Sequence, residues 1–283
     1  MKLIRFGNPN QEAAGILDDL GQLRDISATI KDLDPACLTS IDILTRLQQI
    51  NLKQCPIINE NTRLGPCIKP GKIICIGFNS KLHNQQLGYH APKKDIIVFM
   101  KPVSSICGAF DAIWYTRHMQ KLDWEAELGV VIGKKGKYIT EEEARGYIFG
   151  YTCVNDLSDR FWQFETEDTQ FTKGKCFDNA APIGPYLVTK DEIPDSSNLK
   201  IQLWVNDVLR QDFNTADYIH NDAKIISYLS QFFTLYPGDL ISMGSAPGNA
   251  ISWGDAYFLK PNDTVELSIT GLGKQSQRVI IEP

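Results

Sequence analysis

The chain has 283 residues, enough for one large core or a core with a small appendage, and its composition is that of a globular protein, 43% hydrophobic and 22% charged. A net charge of −5 without any cluster of Lys and Arg argues against nucleic acid or an anionic membrane as a partner. No apolar run approaches the ~20 residues needed to cross a bilayer, and Met1-Lys2-Leu3-Ile4-Arg5-Phe6 lacks a signal-peptide core, so a cytoplasmic protein is expected.

In chain order, residues 2–6, 15–17 and 23–26 read as short strands, with a turn at 18–21. Ser40 is placed to cap a helix through Ile41 to Leu47, and 51–70 is irregular and rich in Pro, Asn and Cys. These features predict a small N-terminal α+β subdomain over 1–66, with the main domain over 67–283. Lys72 to Gly77 opens the main domain as a buried-type strand, 78–86 follows with His83, and 96–100 is another strand ended by Lys101-Pro102. Thr140-Glu141-Glu142-Glu143 starts a capped helix reaching Phe149, and Tyr151 to Asp156 is a strand that ends in an acid. From Leu157 to Phe177 the chain is polar and aromatic with little periodicity, the character of a lid or binding loop. Ile183–Val188 is a strand, 199–213 a hairpin turning at Asn206-Asp207, 223–233 a helix, 240–244 a strand, and 265–269 with 278–281 a closing hairpin. Many strands with about three helices and no regular βα alternation predict a β-rich, mixed-sheet α+β fold.

Chemistry concentrates at Asp123 to Gly133. Residues two apart on a strand share a face, so Glu125 and Glu127 point together while Trp124, Ala126 and Leu128 point the other way. The run Leu128–Ile132 looks buried on both faces, which puts the two carboxylates near the interior, where like charges repel and lose hydration. Either one takes a proton or a hard cation such as Mg²⁺, Ca²⁺ or Mn²⁺ holds both; an isolated Glu-x-Glu also fits a half-exposed edge strand. The seven cysteines have no zinc-like spacing and form a poor disulfide framework, and the histidines at 83, 90, 118 and 220 form no ligand set.

The set Glu125-x-Glu127, Asp156, Arg160, Gln163, Lys175 and Pro182-Ile183-Gly184-Pro185 resembles the fumarylacetoacetate hydrolase family. Arg63 to Cys67, Phe99 to Pro102, Lys173-Gly174-Lys175 and Leu235 to Asp239 resemble it too, so the similarity spans essentially the whole chain. It is nearest to a bacterial branch containing 2,4-diketo-3-deoxy-sugar-acid hydrolases and proteins labelled ureidoglycolate lyase. The resemblance implies a Mg²⁺, Mn²⁺ or Ca²⁺ ion on Glu125, Glu127 and Asp156, with Arg160, Gln163 and Ser245 at substrate-contacting positions and Lys175 near the metal. It also implies a homodimer.

Two departures stand out. The family pairs a histidine with a glutamate three residues later; here His83 is followed by Gln86, with Ser80 at a tyrosine position. A glutamine can hold an imidazole but lends an imidazolium no full negative charge. Gly244-Ser245-Ala246-Pro247 stands where the family has Gly-Thr-Pro, and Gly248-Asn249-Ala250 where it has Gly-Val-Gly. The implied function is metal-dependent hydrolysis of a C–C bond in a small 2,4-dioxo acid, with His83, Lys175 and Gln86 as catalytic candidates. Decarboxylation of oxaloacetate or a similar keto acid, and a non-catalytic metal- or metabolite-binding relative, are the alternatives.

Overall fold

The computed structural model describes residues 1–39, 42–86, 88, 95–168 and 170–283. Ser40 and Ile41, expected to open a helix, and His90 lie outside the described residues; the helix runs over Ile43–Gln48.

Two sheets carry the fold. In the larger, an eleven-stranded sheet, the main path runs Leu23–Asp25, Ala13–Leu17, Lys2–Phe6, Leu187–Thr189, Ile148–Asn155, Ala126–Ile132, Leu240–Ser242, Ile73–Gly77 and Ile97–Lys101. The smaller orders Val208–Asn214, Lys200–Val205, Thr264–Ile269, Gly273–Ile281 and Ile113–Tyr115. Ala126–Ile132 is buried at every position because it is covered on both faces. Leu128, Val130 and Ile132 pack with Ile201, Leu203, Leu267 and Val279 of the smaller sheet. Val131, pointing the other way, packs with Leu33, Leu38 and Leu47 of the N-terminal part. That two-sided burial explains a continuous apolar run in place of alternation.

The N-terminal strands extend the larger sheet: Lys2 and Leu3 pair with Val188 and Leu187. The sheet therefore passes without a break across the boundary expected at 66/67.

The Thr140–Glu143 capping box forms as predicted, but the helix covers only Glu141–Ala144, followed by a tight turn at Arg145–Tyr147, and the next strand already starts at Ile148. Asn206 and Asp207 both take positive φ, 50° and 63°, the geometry of a two-residue hairpin turn. The strand expected over 183–188 is split into Ala181–Ile183 and Leu187–Thr189 around Gly184-Pro185.

Among the described residues no helix is long and apolar enough to cross a membrane.

Candidate active site

The predicted run Asp123–Gly133 is two pieces. Leu122–Asp123 pairs with Ser158–Asp159, and the long strand begins at Ala126. Between them Glu125 is tied to the neighbouring strand's end: its N–H donates to Asn155 Oδ1 at 3.0 Å, and its carbonyl accepts from the Asp156 N–H at 2.9 Å. The break leaves the two-residue logic intact. Trp124, Ala126 and Leu128 share one core, and the Glu125, Glu127 and Asp156 carboxylates converge, with ligand atoms all within 4.8 Å of one another.

Three buried cations are threaded through these acids. Lys175 Nζ bridges Glu125 and Asp156, at 2.8 Å from the latter. Lys101 Nζ donates to Asp156 Oδ1 at 2.6 Å and to the Leu157 carbonyl at 2.9 Å. Arg160 donates to Asp123 at 2.8 Å, Glu125 at 2.7 Å and Gln163 at 2.8 Å. Glu127 differs: its bonds come from Ser242 Oγ at 2.6 Å and the Gly244 N–H at 2.9 Å, and among the described residues no cation pairs with it.

These pairings set how the acids titrate. Burial would raise the Glu125 carboxyl, but Arg160 and Lys175 hold it well below the usual carboxylate range. Burial, with Asp156 and Glu125 as like-charged neighbours, pushes Glu127 well above that range. Burial works against charge on Lys175, yet Asp156 and Glu125 outweigh it and raise its pKa. With every group ionised, Asp123, Glu125, Glu127 and Asp156 exceed Lys101, Arg160 and Lys175 by one negative charge. A divalent cation would turn that excess into one positive charge, which an anionic ligand can neutralise. Convergent hard oxygens, one on an acid that lacks a cation, fit Mg²⁺, Mn²⁺ or Ca²⁺.

His83 sits on the short helix Lys81–Gln86, which Ser80 caps by accepting the His83 N–H at 2.9 Å. Ser80 is itself bound to Asp217, which also accepts the Leu82 N–H at 3.1 Å. Ser80, at the family's tyrosine position, thus anchors the helix. The imidazole is buried, and its Nδ1 has no hydrogen-bond partner among the described residues. Burial lowers its pKa from 6.5; Glu125 and a hydrogen bond with Gln86 pull upward, Arg160 downward. Gln86 is exposed, and its Oε1 accepts from Ser252 Oγ at 3.3 Å. Ser252 Oγ also lies 3.1 Å from Asn249 Oδ1, and Asn249 Nδ2 reaches Glu125 Oε1 at 3.3 Å. A polar chain therefore joins the helix of His83 to the acid cluster.

One cavity of about 290 Å³ collects His83, Glu125, Glu127, Asp156, Arg160, Gln163, Lys175 and Ser245. Of the candidates read from sequence, Gln86 alone stands outside its lining. Arg160, Gln163 and Lys175 are folded inward rather than carried on a polar loop: the segment 157–177 forms a widened helical turn at Phe161–Glu165 and a short helix at Phe171–Lys175, and all three side chains are buried. Ser245 Oγ accepts from Gln211 Nε2 at 2.9 Å. The sequence reading missed Lys101, Asp123 and Asn249. A lysine ending an apolar strand just before a proline was the available signal for the first.

The family described as fumarylacetoacetate (FAA) hydrolase, C-terminal, matches residues 72–280. The chain belongs to this family. Fumarylacetoacetate hydrolase relatives of known structure cover its full length: the enzyme from Exiguobacterium antarcticum superposes with a TM-score of 0.86 at 29% identity, each chain covered 100%. Maleylpyruvate hydrolase from Sphingobium sp. SYK-6, solved with manganese(II) ion and pyruvate, gives 0.83 at 25%, again covering 100% of both chains. In sequence, a protein of Burkholderia orbicola (strain MC0-3) named as a hydrolase is 43% identical over 280 residues, 98% of each chain. The mixed-sheet α+β fold expected from the strand pattern is that of these fumarylacetoacetate hydrolase family structures.

Proposed function

We propose that this chain is a divalent-metal-dependent hydrolase that cleaves a C–C bond in a small 2,4-dioxo acid, releasing pyruvate and a carboxylic acid. The observation that carries the reading is the convergence of Glu125, Glu127 and Asp156 in the same cavity as a buried imidazole with an unpartnered Nδ1. The relative solved with manganese(II) and pyruvate supports it.

Bound on the three acids, the ion would supply a Lewis acid for the keto-acid oxygens. The protein's own groups do the rest. His83, kept neutral by burial, takes a proton from water as the water oxygen bonds to the C4 carbonyl carbon. Collapse breaks the C3–C4 bond, its electron pair leaves on C3 as pyruvate enolate, and a proton on C3 completes pyruvate. Arg160 and Lys175 are held in place by the acids, so their positive charge faces the developing anion without reorganisation. Mg²⁺ is the proposed native ion, and a cytoplasmic homodimer the proposed assembly.

The deciding assay follows loss of acylpyruvate absorbance with Mg²⁺ or Mn²⁺, before and after chelation. Metal-dependent turnover is expected, and turnover that survives chelation refutes the reading. Decarboxylation of a keto acid is a second reading, favoured by Gln86: that reaction needs no attacking water, so the imidazolium needs no anionic partner. Gln86→Glu raising acylpyruvate hydrolysis but not oxaloacetate decarboxylation selects hydrolysis; oxaloacetate decarboxylation by the native chain, left unchanged by Gln86→Glu and with no hydrolysis gained, selects decarboxylation.

A further inference from the structure

The cavity has two unlike halves. Its floor is the charged cluster, and its wall is aromatic: Phe78, Phe99, Phe164 and Phe171. The rings brace one another, Phe99 against Phe171 edge-on at 5.4 Å between centroids and Phe164 against Phe171 at 5.6 Å. Phe78 adopts φ +58°, a left-handed backbone unusual for a bulky side chain, and its carbonyl accepts from Asn84 Nδ2 at 3.1 Å. The chain keeps a large ring in a conformation better suited to glycine, on the wall of the cavity.

Apart from the His83 imidazole, most polar groups of the lining already have protein partners. Among the described residues its lysine and arginine are Lys175 and Arg160, both bound to the acids of the floor. Gln163 accepts from Arg160, Ser245 accepts from Gln211, and Asn249 reaches Glu125 and Ser252. A carboxylate brought against the phenyl wall would lose its hydration, since the cation nearest the rings, Lys175 Nζ at 5.2 Å from the Phe99 centroid, is already held by Glu125 and Asp156, and a run of hydroxyls would be left short of partners. An apolar group would exchange water for ring contacts.

We propose that the group carried on C4 of the substrate is apolar, a short alkyl chain or a single aromatic ring, seated on Phe78, Phe99, Phe164 and Phe171. This rests on the acylpyruvate reading and narrows it: dicarboxylic and polyhydroxylated dioxo acids are poor substrates. The cavity, about 290 Å³, limits the group to about one ring.

The test uses the full chain loaded with Mn²⁺ and compares kcat/KM for acetylpyruvate, benzoylpyruvate, succinylpyruvate and a trihydroxylated 2,4-dioxo acid. Benzoylpyruvate is expected to exceed acetylpyruvate by roughly tenfold or more, with succinylpyruvate and the hydroxylated acid below both. Phe164→Ala, at a partly exposed position where folding tolerates truncation, is expected to cut the benzoyl-over-acetyl preference roughly tenfold, with Phe164→Leu restoring part of it. Phe164→Arg is expected to raise succinylpyruvate relative to benzoylpyruvate. A native preference for succinylpyruvate or the hydroxylated acid overturns the proposal. If no acylpyruvate is turned over, the hydrolase reading fails by itself, and the wall is judged by Mn²⁺-dependent binding in calorimetry: phenylpyruvate tighter than oxaloacetate supports an apolar subsite, while oxaloacetate equal or tighter overturns it.

Discussion

Two charge networks occupy this molecule, one part-buried and one buried, and they are built differently. Near the N-terminal hairpin, Arg5 binds Asp32 at 2.5 Å and Glu12 at 3.4 Å, and Arg63 binds Glu12 at 2.9 Å and Asp111 at 2.6 Å. Every acid there meets a guanidinium. In the cavity, Asp123, Glu125 and Asp156 are likewise paired, but Glu127 is met by a hydroxyl and a backbone N–H. Both networks formally carry one more acid than base; only the second concentrates that excess on an acid with no cation. A fully paired network serves the fold. An acid left without its counter-charge in the interior costs stability and is kept for what it can bind.

The largest expected effect comes from removing the odd acid. Glu127→Gln should lower metal-dependent turnover roughly a thousandfold or more, through loss of an oxygen ligand. The same change relieves repulsion by Asp156 and Glu125, so the metal-free variant should unfold at an unchanged or higher urea concentration, a gain of up to about 1 kcal/mol. Turnover near the native rate would remove Glu127 from the proposed site.

Next in size are two changes that break a pair, one in each network. Glu12→Gln takes one acid from Arg63 and Arg5, which keep Asp111 and Asp32, and Lys101→Met leaves Asp156 Oδ1 without its cation. Lys101→Met should cost about 3 kcal/mol in chemical denaturation, and Glu12→Gln, in the part-buried network, about 1 kcal/mol. Added Mn²⁺ should restore stability to Lys101→Met, whose exposed charge lies on a proposed metal ligand, and not to Glu12→Gln. Equal behaviour of the two variants towards Mn²⁺ would erase the distinction drawn between the networks.

The smallest effect concerns His83. Burial lowers its pKa from 6.5, so the neutral, proton-accepting imidazole persists as pH falls through that value, and the acid limb of kcat/KM should lie below pH 6.5. Gln86→Glu supplies a carboxylate beside the ring and should move that limb upward by about one pH unit. An unmoved limb would show that residue 86 does not act on the imidazole.

What could be read from the sequence was whatever depends on local spacing. Glu125 and Glu127 two apart, an apolar run behind them, and Asp156 closing the neighbouring strand are properties of short stretches, and they survive even though the expected strand breaks at 124–125. The helix over 141–149 was overdrawn because the capping box fixes only a beginning; the chain leaves α geometry after Ala144 and enters a strand at Ile148. The segment 157–177 lacked periodicity for a physical reason: its polar side chains face the acid cluster while Phe164 and Phe171 face the cavity wall, so no single apolar stripe exists. Asp123 and Asn249 were illegible because each takes its role from a partner many positions away, Arg160 and Glu125 respectively, and Lys101, signalled only by its place before Pro102, takes its role from the distant Asp156.

Asp123 constrains how this site can change over generations. Its two oxygens receive Arg160 Nε and the backbone N–H groups of Trp124, Ala250 and Ile251. An amide at this position would turn one acceptor into a donor, and one more methylene would lift both oxygens off their partners. The floor is therefore locked, since no single replacement satisfies all four donors. Phe164 above it, partly exposed and braced edge-on by Phe171, is held by far less and can be exchanged while the lineage explores new ligands.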